Sequence, residues 1–328
     1  MRPILFILII LIVGCTTTQK KKTESVKIIF DTDMGPDYDD IGAIAVLHAL
    51  ADRGECEILA TISCNSHPNV APTIELFNRY FNKPNIPIGV PEKNGVNSIH
   101  KNNWNDSTIV KFAPELKDSR NYPSATKLYR KILSSQTDKS VTIVTVGFTT
   151  NLYNLLKSDP DEFSALSGID LVKKKVEKWV AMAGLLPEGR EYNVYKDSEA
   201  SFYTFKNWPT TLLISGAEIG NSIVTGNKLA VMGSANNPLA WAYAYNLATY
   251  SNKPAKNRRS WDQTAVLCAI RDPEKYFDVC GPGKFVVSKD GHNKWNPNIN
   301  ANHYFLVHKY PYKIVTDVVE ELMMHEPK

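Results

Sequence analysis

The sequence predicts an α/β fold built on one mostly parallel, open sheet with helices on both faces. Three observations carry that prediction. Short apolar, β-branched runs alternate with helical stretches along most of the chain, the pattern that parallel strands and their crossovers require. The first such unit, VKIIFDTDMGPDYDDIGAIAVLHAL from Val26 to Leu50, sets Asp31, Asp33, Asp37, Asp39 and Asp40 between a strand and a helix. That is the end of the strand at which open α/β sheets hold ligands. A second strand, CEILATISCN from Cys56 to Asn65, follows the helix and completes a β-α-β unit.

In chain order, residues 1–14, MRPILFILIILIVG, join one early arginine to an apolar run too short to span a bilayer, and read as an export signal. Ile12-Val13-Gly14-Cys15 resembles the lipobox of bacterial lipoproteins, which implies a lipid-modified Cys15 after cleavage. Thr16 to Ser25, TTTQKKKTES, has no apolar pattern and suits a flexible tether. The expected organisation is therefore signal 1–14, lipidated cysteine and tether 15–25, and one folded domain 26–328. Such a protein is exported and anchored on the periplasmic or cell-surface side of a bacterial membrane, meeting the bilayer through its lipid.

The chain has 38 basic and 34 acidic residues; losing Arg2 with the signal leaves 37 against 34, a net charge of +3. So small and dispersed an excess argues against nucleic acid as a partner. Beyond Cys15, four cysteines (Cys56, Cys64, Cys268 and Cys280) are not spaced for a metal. An exported chain could pair them in three ways, but a core of this size needs no staple, so free buried thiols are expected. Self-association is left open.

The first strand runs through Ile28, Ile29 and Phe30, and the helix after it repeats Ile41, Ile44, Ala45, Leu47 and Leu50 at helical spacing. Asp39 and Asp40 then fall at the helix N-terminus, where the dipole favours anions. Carboxylates so crowded raise one another's pKa unless a cation neutralises them. Residues 84–123, rich in Pro, Asn and Lys and containing His100 and Trp104, read as a long surface loop or lid. SVTIVTVGFTTNLYNLL gives a strand over Val141–Val146, a glycine turn and a helix from Thr150. A strand over 176–184, a polar loop LLPEGREYNVYKDSEA, a helix through Phe205 and a strand over 211–215 follow. SWDQTAVLCAI places Trp261 and Asp262 at the start of an apolar helix, GHNKWNPNINANHY (291–304) reads as a late loop walling a pocket, and the tail closes on an amphipathic helix.

Four blocks, DTDMGPDYDD, VGFTTN, EYNVYKDSEA and WDQTAV, stand in the order and spacing of the nucleoside hydrolases, the inosine-uridine-preferring N-ribohydrolases, which the whole domain resembles. The resemblance implies their Rossmann-like fold and a Ca²⁺-dependent cleavage of the N-glycosidic bond of ribonucleosides to free base and ribose. It implies Asp33, Asp40, the Val146 carbonyl and Asp262 as Ca²⁺ ligands, and Asp39, Asn65, Glu191, Asn193 and Asp262 as ribose contacts. Asp33 is the implied general base. Asp31 is expected to be structural, holding the loop through backbone N–H groups. The block departs from the family's DTDPGxDDA: Met34 replaces proline and two extra residues precede the final pair. Asp37 is then a new contact or a solvated insertion, the latter being favoured.

The histidine that some relatives place before the late aspartate is Trp261 here, so a departing purine would either be stacked on an aromatic ring that raises its basicity or be protonated by a histidine from elsewhere, with His67, His100, His292 and His303 as candidates. The family's further ribose-binding asparagine before the EYN block is missing. Two other readings compete. A lipid-anchored nucleoside- or sugar-binding protein without hydrolysis would suit the altered aspartate spacing. A haloacid-dehalogenase-like phosphatase would use Asp31 and Asp33, but Gly35 stands where it needs Thr or Val.

Overall fold

The computed structural model describes residues 25–117, 121–309 and 311–327. The expected export signal, the expected lipidation site Cys15 and the expected tether up to Glu24 lie outside these residues. The described strands are β1 (Val26–Thr32), β2 (Cys56–Ser63), β3 (Ile88–Gly89), β4 (Val141–Thr145), β5 (Val176–Met182), β6 (Glu188–Arg190), β7 (Thr211–Ser215), β8 (Val224–Thr225), β9 (Arg258–Arg259), β10 (Phe277–Val287), β11 (His292–Asn296) and β12 (His303–His308). Ten of them form one sheet in the order β3-β2-β1-β4-β5-β7-β12-β10-β11-β6. Pairing is parallel from β3 to β12 and antiparallel from there to β6, so the sheet is mostly parallel, as predicted. β8 and β9 form a separate small ribbon.

Alternate residues of the central strands serve opposite faces, because side chains along a strand alternate with a period of two. Ile28, Phe30, Val144, Val180 and Leu213 join one core, packed with residues of the helices Asp39–Asp52, Val70–Tyr80, Trp261–Ile270 and Lys313–Met323. Ile29, Ile143, Trp179, Leu212 and Ile214 join the other, with residues of the helices Ala125–Ser135, Thr150–Lys157 and Ser198–Asn207. Each such buried side chain stabilises the fold by about 1.5–3 kcal/mol relative to exposure. In this register Thr32 pairs with Ser63, Asp31 with Thr145, and Thr145 with Ala181. The carboxyl ends of β2, β1, β4 and β5 therefore stand side by side, while Val26 starts β1 at the opposite end.

Three expectations are corrected. The described residues of 84–123 are not an irregular surface loop or lid: they hold β3, a helix Trp104–Phe112 and a short 3₁₀ turn Pro114–Leu116. The buried positions of that helix, Trp104, Asn105, Thr108 and Ile109, are half polar, so no apolar period marks it in the sequence. Residues 291–304 supply β11 and the start of β12 rather than a pocket wall. Cys56, Cys64 and Cys268 are free and buried as expected, but Cys280, also free, is exposed on β10. No described helix is long and apolar enough to cross a membrane.

Candidate active site

The acidic stretch leaves β1 and turns back at once into the helix Asp39–Asp52, and its conformation is fixed by atoms from distant segments. Gly35 O accepts from His100 N at 3.1 Å and from Trp104 Nε1 at 3.2 Å, while Met34 O accepts from Asn105 Nδ2 at 2.8 Å. The stretch read as a lid is thus the buttress of the loop. Within the loop, Asp40 Oδ1 accepts from Met34 N at 3.0 Å and from the Thr32 hydroxyl. Asp31 is structural, but through side chains: Tyr129 donates to Oδ2 at 2.8 Å and Asn151 Nδ2 reaches both oxygens. Burial pushes Asp31 up to about 7.

Asp39, Asp40 and Asp262 are buried and bring one oxygen each within 4.8 Å of one another, an arrangement able to hold a metal ion. Asp39 Oδ2 accepts from the backbone N–H groups of Trp261 and Asp262, both at 3.1 Å. It thereby caps the helix Trp261–Ile270 and draws Asp262 into the cluster. Asp33 lies in the same cavity, and its Oδ2 is buried without a hydrogen-bond partner. Burial, then the neighbouring carboxylates, hold Asp33, Asp39 and Asp262 well above the usual range, and burial raises Asp40 to about 7. Four carboxylates with raised pKa and an orphaned oxygen are what a site shaped for a cation looks like without its charge counted.

β4 delivers the next wall. Val146 N donates to Asp31 O at 2.9 Å, and Val146 lines the cavity. Gly147 comes so close that an added Cβ would lie 2.7 Å from both Asp33 Cβ and Asp33 N. From the segment after β5, Glu191 caps the helix Tyr192–Lys196: Oε1 accepts from Asn193 N at 2.8 Å, and Oε2 from Gly184 N at 3.1 Å. Burial lifts it to about 7. Asn193 Nδ2 donates to Met182 O at 3.3 Å. With Pro36, Arg190, Tyr192, Tyr250 and Trp261, these groups enclose about 410 Å³.

The fold therefore gathers Asp33, Asp39, Asp40, Val146, Glu191, Asn193 and Asp262 around one cavity. Asn65 is the exception. Its Nδ2 donates to Asp33 O at 2.9 Å and to Ser98 O, and its Oδ1 accepts from His67 N and Ser98 N. It pins the acidic loop and lines a different cavity, so the structure gives it a scaffold task.

Asp37 is not a solvated insertion. It forms a two-pronged ion pair with Arg258, Nε to Oδ1 at 2.9 Å and Nη2 to Oδ2. The guanidinium also stacks on Tyr38, Tyr250 and Trp261 at 4.7–5.2 Å. Arg258 carries no motif of its own; the excess negative charge of the loop was the one sign that such a partner had to exist.

The histidines fall elsewhere. His100 stacks on Tyr250, His67 lines the second cavity, His292 pairs with Glu188, and buried His303 accepts from Phe285 N. Burial lowers His303 to about 3. None of the four lines the acidic cavity.

A family model described as inosine-uridine preferring nucleoside hydrolase matches residues 28–310. The chain belongs to the nucleoside hydrolase family. As a nucleoside hydrolase it is an N-glycosyl hydrolase, and the match overturns the phosphatase alternative. Its fold is similar to that of a plant nucleoside hydrolase, at 19% identity and TM-score 0.68, over 91% of this chain and 99% of that one. It is similar also to a purine-preferring ribonucleoside hydrolase from Gardnerella vaginalis, at 16% identity and TM-score 0.66, with coverage of 91% and 99%. A type III effector, XopQ, solved with adenosine diphosphate ribose, shares 13% identity at TM-score 0.65, with coverage of 92% and 93%. None of the curated protein sequences compared matches this nucleoside hydrolase.

Proposed function

We propose that this nucleoside hydrolase cleaves ribonucleosides to free base and ribose with the help of a bound Ca²⁺. The observation that carries the reading is the convergence of Asp39, Asp40 and Asp262 beside the unpartnered Oδ2 of Asp33 in one buried cavity. An all-oxygen set of carboxylates plus the Val146 carbonyl suits a hard cation of high coordination number, and Ca²⁺ accepts such crowding more readily than Mg²⁺. Asp33, Asp40, Val146 and Asp262 would hold it. Asp39, with Oδ2 spent on the helix N-terminus, has its other oxygen for the cation or a sugar hydroxyl. The bound cation supplies neutralising charge and a Lewis-acidic grip on vicinal hydroxyls and water.

The residues supply the rest. Glu191 and Asn193, rigid at the start of a helix, orient the ribose. Asp33 takes the proton from the attacking water. As the C1′–N bond breaks, positive charge grows on the sugar as an oxocarbenium-like ion, and the surrounding carboxylates stabilise it. The likeness in fold to a plant nucleoside hydrolase and to a purine-preferring ribonucleoside hydrolase supports ribosides as the substrate class.

The test is incubation with mixed nucleosides, with and without a calcium chelator. Free base and ribose are expected only with calcium present and should return when it is restored. Failure of every nucleoside to release base would refute the reading and favour a binding protein. We further propose that Cys15 carries a lipid that holds the enzyme on a bacterial membrane; labelled palmitate should enter the wild type and not Cys15→Ser.

A further inference from the structure

Among the described residues that line the cavity, only carboxyl groups could offer the departing base a proton, and Glu191, lifted to about 7, has both oxygens turned to backbone N–H groups. The described lining includes no histidine or lysine. Both phenols are engaged: Tyr250 donates to Pro36 O at 3.0 Å, and Tyr192 shares a 2.9 Å hydrogen bond with Ser98. Burial makes both weaker acids still.

The same cavity is strongly anionic. Asp33, Asp37, Asp39, Asp40, Glu191 and Asp262 line it, against Arg190 and the Arg258 that pairs with Asp37. With a divalent cation in place, their formal charges still leave two negative charges over. Tyr192, Tyr250 and Trp261 add aromatic surface, which attracts cations.

We propose that the preferred substrates are ribosides whose base is already positively charged in the ring bearing the glycosidic nitrogen, such as N-ribosylpyridinium or N7-alkylpurine ribosides. The inference rests on the hydrolase reading above. In such a substrate the C1′–N bond breaks with its electron pair passing to the ring, whose charge it cancels. The base departs neutral and needs no proton. Water oxygen bonds to C1′ and its proton passes to Asp33. A neutral base would instead leave as an anion among carboxylates, against their repulsion.

The test compares 7-methylinosine with inosine, and nicotinamide riboside with uridine, using the full-length protein in detergent with calcium. Each rate is also divided by the uncatalysed rate of the same compound, which removes the intrinsic lability of charged ribosides. The charged member of each pair should show kcat/KM higher by about 100-fold or more, with a rate enhancement at least equal to its neutral partner's. A larger enhancement for inosine and uridine would reveal a proton donor and overturn the inference while leaving the hydrolase reading intact. No base release from any of the four would overturn both.

Discussion

Gly147→Ala tests whether the turn after β4 sets the position of Asp33. A methyl group there would lie 2.7 Å from Asp33 Cβ, Asp33 N and Cys64 Sγ, whereas ordinary contacts begin near 3.4 Å. A displacement of about 0.7 Å, the difference, must come from somewhere. It cannot come cheaply, because Asp33 O is held by Asn65 and Cys64 N donates to Thr32 O at 2.9 Å. Gly147 is not among the residues with positive φ, so alanine fits the backbone and the perturbation is steric alone. Overpacking of this kind costs about 1–3 kcal/mol of stability. A group misplaced by most of an ångström loses roughly 10- to 100-fold in rate. The assay is base release by the purified variant at saturating calcium, with a calcium titration and a thermal melt alongside. Expected are a fall in kcat/KM of about 10- to 100-fold, weaker calcium binding and a retained fold. Wild-type turnover with an unchanged melt would show that Asp33 does not depend on this close approach, and the reasoning would fail.

Asp33→Ala and Asp262→Ala should each abolish hydrolysis in folded protein, and turnover like wild type in either would remove that residue from the site. Chelation should destabilise the enzyme more as pH rises. Asp40 is lifted from 3.8 to about 7, and Asp33, Asp39 and Asp262 also titrate above their unfolded values, so the metal-free fold is favoured below pH 3.8 and loses that advantage as they ionise. Melts with and without calcium should therefore diverge from acid toward neutral pH; curves that stay parallel would contradict this. Arg258→Met strands Asp37 among like charges, so it should melt below the Asp37→Asn/Arg258→Met double variant, with a coupling of about 1–2 kcal/mol by a double-mutant cycle. Tyr129→Phe removes one donor from buried Asp31 and should cost about 1–2 kcal/mol in denaturant melts, because Asn151 still serves the carboxylate.

The fold was legible wherever the information is local. A run such as Ile28-Ile29-Phe30 opening into aspartates and an apolar helix states strand, ligand loop and helix within 25 residues, and the same holds at Val146 and Asp262. What stayed hidden depends on partners far along the chain. Arg258 meets Asp37 across 221 residues, and only charge balance could have called for it. The helix Pro238–Thr249 buries polar Asn246 with its apolar neighbours, so no clean stripe marks it. The antiparallel strands β10 to β12 carry exposed or polar residues at most positions, and HNKWN reads as a loop until its partners are seen. Asn65 sits where a sugar contact was expected, yet its amide is consumed by Asp33 and Ser98, a commitment that no motif encodes.

The opposed ends of β1 have a practical meaning. Val26 enters the sheet at one pole, and Asp33 with the cavity stands at the other, seven residues on. A handle fused directly at Val26 would therefore start from the end of β1 opposite the one that opens into the acidic loop. Coupled at that point, the enzyme is expected to keep its cavity clear of a surface-coupled support, which retained turnover on the support would check.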